Sequence, residues 1–143
     1  MANPNFLTGL LALGTGSSSF AELIGTGYAR QAITFSGIAG ASCVSIPGQT
    51  FACAGTWSQI TQFGIFSATG SLLFWWNKTD PMTVASGATL TAPVFSITMP
   101  DLMGASPAAS LIYAPGAVVG TVNGLPLIAG APLQVASLQI GAF

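Results

Sequence analysis

The amino-acid sequence predicts an all-β chain folded as a single-domain antiparallel β-sandwich of jelly-roll-like topology. Three observations predict it. Short apolar segments recur at a spacing of roughly ten residues, each bounded by turn-forming residues. The 18 glycines and 9 prolines are spread along the whole chain and cut it into short pieces. Only residues 6–13 fit a helical period, and they fit a strand equally well. The 143 residues suit one domain, and a chain of that size buries about two thirds of its unfolded surface. We read residues 1–21 as an N-terminal segment and 22–100 as the sandwich core. Residues 101–143 form a C-terminal extension that either completes the sandwich or serves as an arm.

The strands follow in order. Residues 28–35 place Ala29, Gln31, Ile33 and Phe35 on one face and Tyr28, Arg30, Ala32 and Thr34 on the other. Gly25 and Gly27 precede them and allow a tight turn or bulge. A short strand over 49–53 lies between Pro47-Gly48 and Gly55. The strongest hairpin joins 60–66 to 71–76 through a turn at 67–70. Its return strand carries Leu72, Phe74 and Trp76 against Leu73 and Trp75, so both faces are apolar and both are buried. Residues 78–81 read as a polar turn holding Lys78 and Asp80. Short strands over 82–84, 88–90 and 94–99 come next, with Ser86-Gly87 turning the chain between the first two. In the extension, 118–122 is a strand and Asn123-Gly124 is the best two-residue hairpin signal in the chain. Residues 133–140 form the last strand. No repeat of fixed period is visible, which argues against a solenoid.

Charge is the anomaly. Globular proteins are about 25% charged; this chain is 3% charged, has no histidine and has a net charge of −1. Its charged side chains are Glu22, Arg30, Lys78, Asp80 and Asp101. The longest apolar runs are broken by Thr8-Gly9 and by Pro115-Gly116, short of the roughly 18 residues a membrane helix needs. The N-terminus has no basic region of the kind a signal peptide carries. With 51% hydrophobic residues the chain is not a disordered one. Two basic side chains neutralise too few phosphates for nucleic-acid binding. The remaining reading is a folded domain whose bland surface is covered by other protein, itself included.

Chemistry finds little support. Without histidine there is no Ser-His or Cys-His pair. The three carboxylates are far apart in sequence, and Lys78 has no Ser-x-x-Lys context. Gly25-Thr26-Gly27 resembles the start of a dinucleotide loop, but Arg30 occupies the third glycine position and a strand follows. Cys43 and Cys53 could pair across a hairpin; two reduced, partly buried thiols are the favoured reading, and no metal-ligand spacing is present. We therefore expect no enzyme activity, no catalytic residue, no metal and no cofactor. Trp75 and Trp76 point to opposite faces of one strand, so one of them is an interface candidate. Tyr28 and Arg30 share a face and join that list, although Arg30 also suits a local pair with Glu22. A carbohydrate-binding sandwich would use an exposed tryptophan but lacks a polar cluster for hydroxyl groups.

Four segments carry a family resemblance. Glu22, then Gly25-Thr26-Gly27-Tyr28-Ala29-Arg30-Gln31 and Ile33-Thr34-Phe35, resemble a motif of small tailed-phage virion structural proteins. Trp57-Ser58-Gln59-Ile60-Thr61-Gln62-Phe63-Gly64-Ile65-Phe66, followed by Gly70-Ser71-Leu72-Leu73-Phe74-Trp75, is similar to a second. Thr83-Val84-Ala85-Ser86-Gly87 and Phe95-Ser96-Ile97-Thr98 match the family's last two strands. Ser67 stands where the family has an acidic residue, the segment before Glu22 is shorter than usual, and the chain after Asp101 lies outside the match. Members are labelled either tail-fibre proteins or head decoration (cement) proteins.

The resemblance implies a virion structural role and a β-sandwich without catalysis. With the small size and the uncharged tail, it leads us to expect a capsid cement protein on the capsid surface, assembled in the host cytoplasm. Its expected partners are the major capsid protein and a second copy of itself, as a homodimer or a trimer, with neither nucleic acid nor membrane. The alternative is a tail-fibre or tail-associated adaptor.

Overall fold

The computed structural model describes residues 7–39, 42–67, 70–98, 112–130 and 133–134. Among them are strands β1 (Leu7–Gly14), β2 (Gln31–Ala39), β3 (Ser42–Ser45), β4 (Thr50–Ala52), β5 (Ile60–Phe66) and β6 (Leu72–Met82). They continue with β7 (Thr89–Thr91), β8 (Ser96–Thr98), β9 (Ile112–Tyr113), β10 (Val118–Val122), β11 (Leu125–Ala129) and β12 (Leu133–Gln134). The described residues contain no helix. Asp101 and the expected last strand beyond Gln134 lie outside them.

Eight strands close into an antiparallel barrel in the order β1-β2-β3-β8-β10-β11-β6-β5. The pairs β4-β7 and β9-β12 form two small sheets of their own. The expected sandwich is thus corrected to a closed barrel. The physical reason is β1, which pairs with β2 from Leu7 to Leu11 and with β5 from Leu10 to Gly14. A strand hydrogen-bonded along both edges joins what would otherwise be two open sheet edges, and closure removes those edges. Leu11, Ala12 and Leu13 are all fully buried, so β1 is apolar on both pleats, which is why its sequence fits helix and strand alike.

The interior is filled by side chains. Phe63, Trp76 and Phe95 form its aromatic centre, with ring centroids 5.0 Å apart for Phe63–Phe95 and Trp76–Phe95 and 5.9 Å apart for Phe63–Trp76. Leu11, Leu13, Ile33, Phe35, Ile65, Phe74, Ile97, Val122 and Leu127 pack around them. Phe51 of β4 and Leu90 of β7 extend the same cluster beneath the small sheet.

The β5–β6 hairpin has the expected strands, but β6 runs on to Met82, and the expected polar turn at 78–81 is a bulge within that strand. The pairing breaks register between Ile60 and Gln62, and Met82 stands opposite Ile60 beyond the break. The stem of Lys78 is held at this end of the strand, its Nζ 4.9 Å from the centre of the Phe63 ring. That burial lowers the lysine's pKa, against the opposing charge of Asp80. The β10–β11 hairpin turns at Asn123 (φ 50°) and Gly124 (φ 84°), the left-handed pair that a two-residue loop matched to strand twist requires.

β10 and β11 are two of the eight barrel staves and bridge β8 to β6. Removing residues 102–143 therefore opens the wall and exposes the interior. The truncated chain should lose cooperative urea unfolding altogether; retention of a single sharp transition would place the extension outside the folding unit.

Candidate interaction surface

Glu22 lies beside the C-terminal end of β1. It bridges Gly14, while the Leu23 amide donates to the Leu13 carbonyl at 2.9 Å and the Thr15 amide to the Ala21 carbonyl at 2.8 Å. Its carboxylate is the centre of a polar clasp. Arg30 donates from Nε to Oε2 at 2.8 Å and from Nη2 to Oε1 at 2.9 Å, the two-pronged geometry that suits guanidinium to carboxylate. The Tyr28 hydroxyl donates to Oε2 at 2.6 Å and accepts from the Leu13 amide at 3.1 Å. The Arg30 guanidinium carbon sits 3.6 Å from the centre of the Phe66 ring. Arg30 holds the Glu22 carboxyl below its ordinary pKa, desolvation opposes the shift, and Tyr28 adds to it. Burial, and then Glu22, push the Tyr28 phenol upward.

The glycines of this segment serve the same construction. A Cβ on Gly25 would lie 2.4 Å from Cδ1 of Trp57, so only glycine lets the backbone pass under that indole. Trp57 Nε1 donates to the Thr26 carbonyl at 2.9 Å, and the Tyr28 ring stacks on Phe51 and meets Trp57 edge-on. Gly27 turns the chain with φ 82°. The dinucleotide-loop resemblance thus resolves into a turn beneath an aromatic ring.

Residues 15–21 fold back over the outside of the barrel as a strap. One side chain holds it, the fully buried Gln62. Its Oε1 accepts from the Gly16 amide at 3.0 Å and the Ala21 amide at 3.2 Å. Its Nε2 donates to the Ser19 carbonyl at 2.9 Å and to Oδ1 of Asn77 at 3.2 Å. Every hydrogen-bonding position of the amide is used. Phe20, carried by the strap, meets Phe66 edge-on at 6.0 Å and reaches over Gly14 and Gly64, where an added Cβ would lie 2.6 and 2.9 Å from its ring.

Of the four candidate interface residues, Tyr28 and Arg30 come together in the clasp. Trp75 and Trp76 do not join them and are only 6% and 2% exposed. Trp76 faces the interior; Trp75, on the opposite pleat, stands in register with Gly64 and Ile128. Neither indole presents a face on which a sugar could stack. Cys53 is a free, buried thiol with Sγ 3.0 Å from the Gly55 carbonyl oxygen. The side chain of Cys43 lies outside the described part of the structure. No group of three or more His, Cys, Asp or Glu side chains suited to a metal ion occurs among the described residues.

The described charges are unevenly placed around the barrel. Of them, Glu22 lies beside the end of β1, Arg30 just before β2, and Lys78 and Asp80 on β6. The wall made by β3 and β8 carries none of them and exposes Val44, Ile46 and Val94. The sequence reading missed both Gln62 and this wall: an amide inside an apolar alternation gives no signal of what it holds, and isolated valines are unremarkable until pairing makes them neighbours.

Residues 8–100 match the model of a family described as "Podophage GP4 fiber I protein gp80". No curated protein and no solved structure matches the chain.

Two outcomes follow from this geometry. Glu22 titrates lower in the folded chain than its ordinary value of 4.5, so its stabilisation is present above that pH and is lost as pH falls through the folded value. Thermal melts should hold level from neutral pH to about pH 5 and then drop. Glu22→Gln should melt lower by about 1–2 kcal/mol at neutral pH and lose much of that acid step. Gln62→Leu strands the Gly16 and Ala21 amides and the Ser19 carbonyl, at a cost of about 2–3 kcal/mol. Hydrogen exchange should then speed up at Gly16 and Ala21 while the interior strands stay protected.

Proposed function

Because the chain belongs to the family described as podophage GP4 fiber I protein gp80, we propose that it is a fibre-type structural subunit of a tailed-phage particle, acting by holding other proteins and not by catalysis. The family match carries this reading. It covers the chain from β1 to the end of β8 and takes in both the clasp and the strap. It favours the tail-fibre alternative over the capsid cement role first expected from the resemblance, the small size and the uncharged tail. Glu22, the carboxylate with the most elaborate surroundings, has both oxygens engaged by Arg30 and Tyr28.

The barrel narrows the role within a fibre. A barrel closed by β1 offers no free edge for strand addition, which leaves only the short β4–β7 and β9–β12 sheets with open edges. We therefore assign the domain to a compact head, tip or adaptor of the fibre apparatus. The virion is its place of action, and the partners are other fibre or tail subunits and further copies of itself. Binding to the major capsid protein as cement is the competing role, supported by the same uncharged surface.

Copy number and position separate the two. Quantitative mass spectrometry of purified particles should find a few dozen copies or fewer, and gold-labelled antibody should mark the tail. Hundreds of copies spread over the head would establish the cement role and overturn the fibre reading.

A further inference from the structure

We propose that the outer wall formed by β3 and β8 is a self-association face, on which a second copy of this chain docks through Val44, Ile46 and Val94. The pairing makes these residues neighbours. Val44 stands opposite Ser96, and the Ser45 amide continues the ladder by donating to the Phe95 carbonyl at 2.8 Å, which brings Ile46 beside Val94. The alternate residues Ser45, Phe95 and Ile97 are buried, so Val44, Ile46, Val94 and Ser96 share the outward pleat. The three apolar side chains are 41%, 48% and 46% exposed. A clustered exposed apolar group of this kind marks a contact site, whereas single ones do not.

The backbone behind them is rigid and already satisfied. Ser45 Oγ accepts from the Phe95 amide at 2.7 Å. Asn123 Oδ1 accepts from the Ser96 amide at 2.8 Å, and its Nδ2 donates to the Val94 carbonyl at 3.2 Å. The Ile46 amide donates to the Thr34 carbonyl at 2.8 Å. The wall therefore presents side-chain carbon on a fixed frame, with these amides and carbonyls already in use. A partner adds no strand here; it meets the face.

Charge selects the occupant. No described charge lies on β3 or β8: Glu22 lies beside β1, Arg30 just before β2, and Lys78 and Asp80 on β6, three places from β8 in the ring order. A partner presenting an ionised group would strand it against hydrocarbon, at a cost of several kcal/mol. The face fits an equally uncharged one, and the copy of this chain supplies it: a two-fold axis through the wall sets Val94 of one subunit against Val44 or Ile46 of the other without burying any of the four charges.

This inference deepens the structural-subunit reading, and its test is independent of where the protein sits on the particle. Sedimentation velocity of the purified full chain should show self-association. The Ile46→Asp/Val94→Asp variant should weaken it about a hundredfold, the factor expected for burying an unpaired charge, with the thermal melt unchanged. Ile24→Asp, at a residue 95% exposed beside the clasp, should associate like the parent. If the aspartate pair misfolds, Ile46→Ser/Val94→Ser reads the same effect without charge. A parent chain that stays monomeric at hundreds of micromolar overturns the proposal, as does equal weakening by Ile24→Asp. Unchanged association of a folded Ile46→Asp/Val94→Asp chain that no longer enters particles would assign the face to a different virion subunit, which also overturns it.

Discussion

β1 exchanges backbone hydrogen bonds along both of its edges, with β2 over its first half and with β5 over its second, the two partners overlapping at Leu10 and Leu11. That offset is the stagger a tilted, closed barrel requires. Leu11 and Leu13 point into the aromatic centre. Ala12 and Gly14 point outward, yet both are buried because the strap returns over them with Phe20. The small residues are part of the same constraint: β1 needs bulk on one pleat and near absence of bulk on the other. The segment that leaves β1 is then pinned twice, by Gln62 from the barrel wall and by Glu22 bridging back to Gly14. Closure, strap and clasp are one structural unit, and the phage-like motif around Glu22, Tyr28 and Arg30 is its sequence trace.

A chain with so few charges must place them where they replace many weaker contacts. Glu22 gathers three hydrogen bonds from two residues and, through Tyr28, reaches the β1 backbone. Arg30 covers the face of Phe66 as well as pairing. On the neighbouring part of the wall, where the site is fully buried, the anchoring group is a neutral amide. That choice follows from desolvation: an amide with all its positions filled is inexpensive to bury, whereas an ion pair must recover the loss of two hydration shells.

Much of the local structure is legible from the sequence. Period-two alternation marks β5 and β6, the paired apolar faces of Leu72–Trp76 signal burial on both sides, and Asn123-Gly124 fixes a two-residue hairpin. What decides the architecture is not local. β1 reads as either helix or strand because both its pleats are apolar or tiny. Its partner β5 lies some fifty positions away along the chain, and no turn signal announces that pairing. Residues 78–81 look like a turn from their composition, and they are the stretch of β6 that bulges out of the ladder between the Asn77–Gln62 and Met82–Ile60 pairs. Trp75 looks available because alternation turns it outward; the sequence does not record that the outer face is itself covered there. The local pair of Arg30 with Glu22 was legible, since the residues are eight apart across a glycine turn, whereas the part played by Tyr28 depends on where β1 passes.

Closing the barrel changes what kind of association remains open. With its edges consumed, the barrel cannot recruit a neighbour by strand addition, so contact through its wall must be made by side chains alone. With a net charge of −1 and so few charged side chains, the chain lacks the field that speeds and orients charged partners, and encounter falls to the slower, unsteered range. A subunit of this kind gains little from bulk diffusion and much from being held at high local concentration in a growing particle. There, apolar contact needs no steering and is almost indifferent to salt. The scarcity of charge and the sealed barrel wall therefore point the same way: whatever association the barrel wall supports rests on shape and hydrocarbon more than on charge or strand pairing.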